Sequence, residues 1–149
     1  MRSVLQRVSQ ATVSVDGDEV GRIGPGLVAL VAVIHGDGPT DIEYTASKIR
    51  DLRIFADADG RMNRSVEDVG GGVLLVSEFT LAGDARKGRR PAFDQAAPPE
   101  SARSTFDALV ARVRASGLLV QTGRFRAHMA LALVNDGPVT VLIDSRRTF

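Results

Sequence analysis

The sequence predicts an α+β fold: a mostly antiparallel, barrel-like β-sheet carrying two main helices. Three observations lead there. Two segments repeat apolar residues at helical spacing, Ile42, Ala46, Ile49 and Leu52 in one and Phe106, Leu109, Val110 and Val113 in the other. Most remaining apolar residues fall in short strand-like runs punctuated by Gly, Pro, Asn and Asp. Many joins between those runs are too short for the crossover that a parallel pair requires, which favours antiparallel neighbours.

In chain order, Val4, Val8, Val13 and Val15 alternate with polar residues as a first strand, and Asp16-Gly17 marks a hairpin turn. Gly24-Pro25-Gly26 then precedes "LVALVAVI" (27–34), a continuous apolar run of the kind a buried strand shows. Thr40 with Glu43 has capping-box spacing and starts the first helix. "DADG" and the segment around Asn63 form a loop, and "GGGVLLVSEFTL" (70–81) is a second buried strand. A polar loop follows, and Pro98-Pro99 opens the second helix, which stops at Gly117. "LLVQT", "MALALV" and "VTVLID" are three further strand candidates.

Neither a linker nor an internal repeat interrupts the 149 residues, so residues 1–149 are expected to form one domain. The 44% hydrophobic and 25% charged content is that of a soluble globular protein. Absence of cysteine excludes disulfides, thiolate chemistry and Cys-ligated metal. "MRSVLQRVSQ" lacks the apolar core of a signal peptide, and the 27–34 run is too short to span a bilayer, so a cytoplasmic protein with no membrane partner is expected. A net charge of +1 argues against indiscriminate nucleic-acid binding. Locally the balance differs: 17 of the 19 basic residues are arginine, and "RKGRR" sets Arg86, Lys87, Arg89 and Arg90 within five positions. That run suits either a solvated loop or phosphate contacts.

Conventional catalytic motifs are missing. His35 and His128 have no metal-binding spacing, no nucleophile elbow or Walker loop occurs, and no metal or cofactor is expected. Asp57 and Asp59 read as loop residues. Two stretches remain. "SEFTL" (77–81) ends a strand just before the basic loop and offers the hydroxyls of Ser77 and Thr80, the Glu78 carboxylate and the Phe79 ring. Strand alternation puts Ser77 and Phe79 on one face and Glu78 and Thr80 on the other. "VNDGPVTVLID" (134–144) holds Gly137-Pro138, which suits a turn or a specially shaped backbone, since X-Pro bonds adopt cis at little cost.

"SEFTL", "RKGRRPAF", "AAPPE", "TGRF" and "LVNDGPVT" occur in one order with the opening "MRSVLQRVSQATVSVDG" and "KIRDLRIFADADGRMN". Together they resemble the D-aminoacyl-tRNA deacylases, also called D-Tyr-tRNA deacylases, from Met1 to about Asp144. The resemblance implies a homodimer that hydrolyses the ester at the 3′ acceptor end of D-aminoacyl-tRNA, with no DNA partner, and with glycyl-tRNA as a further substrate. It implicates Ser77, Glu78, Phe79 and Thr80 around the aminoacyl adenosine. It makes Gly137-Pro138 a cis unit offered to the neighbouring subunit's pocket, whose carbonyls hold the substrate ammonium and exclude L-residues. The loop at 86–90 would meet acceptor-stem phosphates. Thr80 as nucleophile lacks an adjacent base in sequence, so the favoured chemistry uses backbone N–H groups and the substrate's ribose hydroxyl. Alternatives are an RNA-binding module of little activity and a Thr80 esterase. The chain departs from the family pattern at Glu78, where glutamine is usual, at Ala82-Gly83, and at Arg126, where glycine is usual.

Overall fold

β1 (Arg2–Val15) is the strand on which the sheet is assembled. In the computed structural model, which describes Met1–Phe149, it is followed by β2 (Asp18–Ile23), β3 (Gly26–Ala32) and α1 (Pro39–Asp51). Then come a small hairpin of β4 (Phe55–Ala56) and β5 (Met62–Arg64), β6 (Gly72–Ser77), a 3₁₀ turn (Phe79–Ala82), α2 (Pro99–Arg114), β7 (Val120–Thr122) and β8 (Ala130–Asp144). One edge of β1 pairs antiparallel with β3 and then β2, and the other edge pairs antiparallel with β8 along almost its whole length.

The main sheet is mixed: three of its strand pairs are antiparallel, in line with the sequence, and two are parallel. β3 pairs parallel with β6, and β6 parallel with β7. The physical reason lies in the two helices: α1 joins β3 to β6 and α2 joins β6 to β7, so each supplies the long crossover that a parallel neighbour needs. Short joins occur only among the antiparallel strands. At the far ends of the order, β2 and β7 approach each other and nearly close a barrel. A Cβ on Gly21 would lie 2.9 Å from the Thr122 carbonyl oxygen, so that close approach requires glycine.

Two apolar layers result. Odd-numbered residues of β3 and β6 (Leu27, Ala29, Val31, Val73, Leu75) pack with Ile49 of α1 and Phe106, Leu109 and Val113 of α2. Even-numbered ones (Val28, Leu74, Val76) pack inside the barrel with Val8, Ala11, Val13 and Ile23. This is why both strands read as unbroken apolar runs. β1 serves both layers in turn: Met1, Ser3 and Leu5 are buried, then Val8, then Ala11, Val13 and Val15. Leu5 rather than Val4 takes the position under the helices, Val8 faces the barrel as alternation requires, and the phase changes only between Val8 and Ala11, which share the barrel layer. The β1–β8 register slips next to that change, between Gln6 and Val8 and again between Val8 and Gln10.

Both helices bury the expected faces, with Ala46 and Ile49 in α1 and Phe106, Leu109, Val110 and Val113 in α2. The capping of α1 differs. Its N-cap is Gly38, whose N–H donates to the Asp41 carboxylate at 2.9 Å. Glu43 instead pairs with Arg112 of α2 at 2.6 Å. Thr40 follows Pro39 at the first helical position, too late to cap. "MALALV" and "VTVLID" are not separate strands but one, β8, interrupted by a bulge at 136–139.

The amino group of Met1 donates to Asp37 at 2.8 Å and to the Ser145 hydroxyl at 2.5 Å, and Ser145 donates to Asp41 at 2.5 Å. Burial alone would raise the Asp41 pKa. The Ser145 hydroxyl, the Gly38 N–H and the nearby ammonium outweigh it and hold the carboxyl below its ordinary value. Asp144 behaves alike, burial being outweighed chiefly by the Thr148 hydroxyl and the Arg146 N–H. Both pKa values are depressed in the folded state, so the unfolded chain binds more protons in acid. The resulting stability is present above the unfolded value of about 3.9 and is lost as pH falls through the folded values. Thermal melts should therefore weaken below about pH 4. Asp41→Asn should lower Tm at neutral pH and flatten the acid slope; an unchanged slope would mean that Asp41 contributes nothing to it.

Candidate active site

β6 ends at Ser77, and the next residues leave the sheet as the 3₁₀ turn Phe79–Ala82. The Glu78 N–H still donates to the Val31 carbonyl at 2.8 Å, which fixes the exit of the chain. Because the strand stops there, alternation no longer governs Glu78 to Thr80, and the expected split between two faces does not occur. Ser77, Glu78, Phe79 and Thr80 all line one cleft of about 720 Å³. Within it the Thr80 hydroxyl donates to Glu78 Oε1 at 3.1 Å. A carboxylate thus stands beside the hydroxyl that had no base adjacent in sequence. The 3₁₀ turn bonds its first N–H back through Leu81 to Glu78, leaving the N–H groups of Phe79 and Thr80 without a partner inside the turn.

Apolar side chains form most of the wall. Phe79, exposed to 58%, meets Phe93 edge-to-face with ring centroids 5.2 Å apart. Phe125 packs on Phe106 at 6.5 Å, and Met129, just before β8, and Leu131, near its start, complete this side. An aromatic wall beside hydroxyl and carboxylate groups suits a nucleoside: the base against the exposed Phe79 ring, the ribose against oxygens. Phe93, Phe125 and Met129 lie in segments that read as polar loop or strand, and only proximity in the fold brings them to the cleft. His128 lines it as well, while His35 is exposed at the end of β3 and offers its carbonyl to Arg146 at 2.6 Å.

The basic loop flanks the cleft without lining it. Asp84 and Ala92 bridge the base of the loop with two backbone hydrogen bonds, and residues 85–92 are exposed. Arg86 is already committed: its guanidinium pairs with Asp84 at 2.5 Å and holds that carboxyl well below the usual carboxylate range. Lys87, Arg89 and Arg90 have no carboxylate within 4.0 Å. On the other side of the loop, a polar cleft of about 800 Å³ contains Arg2, Arg86 and Arg146. Its arginines are paired with Gln95, Asp84 and Asp37, which leaves no free cation to recruit an anion.

Gly137 and Pro138 are elsewhere. The bond between them is cis, and both residues are exposed on the bulge of β8. Between the Gln6–Thr140 and Val8–Asn135 pairs, β1 advances two residues while β8 advances five. Asn135 closes the bulge, accepting the Val139 N–H at 2.8 Å and donating to Thr140 at 3.0 Å. Arg7 holds it from below: Nε donates to the Asp136 carbonyl at 2.9 Å, and Nη1 to the Ile54 carbonyl at 2.6 Å. Gly137 sits at φ +141 with its Cβ position 2.9 Å from the Val139 nitrogen, a place for glycine alone. Six residues of strand separate Gly137 from Leu131 at the cleft, roughly 20 Å at 3.3 Å per residue. The bulge therefore does not reach the cleft of its own chain. Arg7 is a residue that motif reading missed, and no local signal in the sequence marks it.

The family model for D-Tyr-tRNA(Tyr) deacylase matches residues 4–144. The D-aminoacyl-tRNA deacylase of Heliobacterium modesticaldum is 58% identical over 146 residues, covering 98% of this chain and 97% of its own. That of Desulfitobacterium hafniense is 58% identical over the full length of both chains. Among solved structures, a c-Myc DNA unwinding element binding protein superposes with a TM-score of 0.92 at 35% identity, covering 97% of this chain and 98% of its own. A probable eukaryotic D-amino acid tRNA deacylase shares the fold, with a TM-score of 0.80 at 21% identity, covering 95% and 97%. A chain that matches from β1 to the end of β8 and carries the cleft and the bulge in one frame belongs to the D-Tyr-tRNA(Tyr) deacylase family, as an enzyme of the D-aminoacyl-tRNA deacylase class.

Proposed function

We propose that this enzyme hydrolyses the ester between a D-amino acid and the terminal ribose of tRNA in the cytoplasm, accepts glycyl-tRNA and rejects L-aminoacyl-tRNA. The observation that carries the reading is the cleft itself, where Phe79, Ser77, Glu78 and Thr80 gather at one strand end. The terminal adenine lies against Phe79 and the ribose near Ser77. Water adds to the ester carbonyl, the C–O bond to the ribose breaks, and the ribose oxygen takes up a proton as free amino acid leaves. The N–H groups of Phe79 and Thr80 polarise the carbonyl, and the ribose hydroxyl next to the ester orients the water. Lys87, Arg89 and Arg90 meet acceptor-stem phosphates in a salt-sensitive positioning role, to which the committed Arg86 adds little.

Stereoselection rests on Gly137-Pro138 of a second copy of the chain. Support comes from the roughly 20 Å that separates a protomer's own bulge from its cleft, and from β8, whose outer edge has no strand partner. Along it Ala132, Val134, Pro138 and Leu142 are exposed, apolar groups on a sheet edge of the type that pairs with another chain. Docked there, the main-chain carbonyls of the bulge, held by Arg7, fix the substrate ammonium. An L side chain then meets backbone, a D side chain points to open space, and glycine has nothing to exclude.

A second reading is favoured by the 3.1 Å hydrogen bond between Thr80 and Glu78: Glu78 as general base for a Thr80 nucleophile. The two readings separate cleanly. Glu78→Gln should preserve or raise deacylation at neutral pH under the first, and lower it by roughly 10²–10⁴-fold if the carboxylate is the base. Thr80→Ala should reduce turnover without abolishing it; complete loss would establish the nucleophile.

The activity itself is tested with matched D- and L-aminoacyl-tRNA. Hydrolysis of D-aminoacyl- and glycyl-tRNA with the L ester intact is expected, and equal rates on both enantiomers would overturn the stereochemical gate. No hydrolysis of any of the three would leave an RNA-binding role instead. For the dimer, sedimentation at micromolar protein should give twice the chain mass. Leu142→Arg, at a side chain 63% exposed in the protomer, should yield folded monomers without stereoselective activity. Monomers in the unsubstituted protein would remove the cross-subunit site.

A further inference from the structure

Among the eighteen residues that line the cleft, Arg126 is the only lysine or arginine. Its backbone is unusual as well: φ is +61, the left-handed region in which glycine is favoured. The turn that holds it is closed by the Ala127 N–H on the Arg124 carbonyl at 3.2 Å, and Arg126 occupies the third position, where positive φ is required. Phe125, the second residue, is anchored against Phe106 and lies 5.7 Å from the Arg103 guanidinium. A rigid base thus carries an exposed guanidinium at the cleft, and no carboxylate, Glu78 included, lies within 4.0 Å of it. A residue of poor fit to its own backbone, free of ion pairs and next to a site, is a candidate for a binding role.

We propose that Arg126 binds the 5′-phosphate of the terminal nucleotide and is a substrate-positioning residue of this enzyme. The inference rests on the nucleotide reading of the cleft given above. With base and ribose inside, the phosphodiester that continues into the tRNA must leave past the rim. Arg126 is the one guanidinium of the lining that can pair with it there. Guanidinium and phosphate match as a bidentate pair. The contact also offsets Glu78, whose carboxylate would otherwise leave the cleft repelling an anionic ligand.

The test is inhibition of D-aminoacyl-tRNA hydrolysis by adenosine 5′-monophosphate and by adenosine, in the unsubstituted protein and in Arg126→Gly. Glycine suits positive φ, so the variant should fold and melt about 2–4 °C higher. The monophosphate should inhibit the unsubstituted protein about tenfold more strongly than adenosine. Arg126→Gly should erase that preference, leave inhibition by adenosine as it was, and raise KM for the tRNA while kcat is retained. A preference that survives in Arg126→Gly, or is absent from the unsubstituted protein, would overturn the phosphate contact while the deacylase reading stands. A loss of kcat with KM unchanged would equally overturn it. If the unsubstituted protein hydrolyses no aminoacyl-tRNA, the reading of the cleft fails and this inference with it.

Discussion

The pairing of β1 with β8 is the constraint on which the rest of the structure depends. β1 puts Leu5 into the layer under the helices and Val8, Ala11 and Val13 into the barrel interior, and Val8 shares a face with Ala11 only because the alternation shifts between them. In an antiparallel pair such a shift shows as a register slip, here between Val8 and Gln10. A second slip adjoins it: opposite Gln6–Val8, β8 rises into the bulge at Asp136–Val139, with Arg7 beneath it. Together the two slips join the core layers and lift a short piece of backbone out of the sheet, held by a largely buried Arg7 side chain.

The cleft depends on the opposite feature, the sudden end of a strand. β6 is buried on both faces up to Val76, and its pairing with β3 fixes the direction in which Ser77 leaves. Beyond it the chain bends into a 3₁₀ turn, and the change of direction brings Ser77 to Thr80 to one cleft, where a continued strand would have divided them. Phe93 then returns from the loop to cover Phe79. Two clefts flank this loop with different chemistry. In the polar one every arginine is answered by a neighbour within the protein; in the apolar one Arg126 is unanswered. A count of arginines alone would favour the first as the anion site, and pairing reverses that ranking.

Much of the fold was legible in the sequence because it rests on local signals: the Asp16-Gly17 hairpin, the apolar faces of both helices, the buried run at 27–34 and the one at 70–81 as far as Ser77. What was not legible is long-range. Parallel pairing of β3, β6 and β7 follows from where the helices fall between strands, and short joins elsewhere in the chain hid it. The start of α1 was misread because Gly38, with no side chain to cap, is served by Asp41 instead. Ser77 to Thr80 could be found as a motif, but their meeting on one side could not, since alternation predicts the reverse. Arg7 shows the limit most clearly. Its partners are the carbonyls of Ile54 and Asp136, 47 and 129 residues away, and nothing near Arg7 announces them.

β8 supplies Leu131 to the cleft and, further along, the Gly137-Pro138 bulge, and an extended strand cannot fold its own middle back onto its start. Rigidity keeps the two apart within a protomer; under the proposed function, a twofold arrangement would bring each bulge to the other cleft without bending either strand. On the proposed reading this separates two demands that conflict within one surface. The cleft must stay open enough to admit the end of a large RNA, whereas the gate must hold its carbonyls still to distinguish two mirror-image amino acids. A gate carried by a second copy is rigid because it belongs to that copy's sheet, and the cleft remains free to bind because it does not carry the gate.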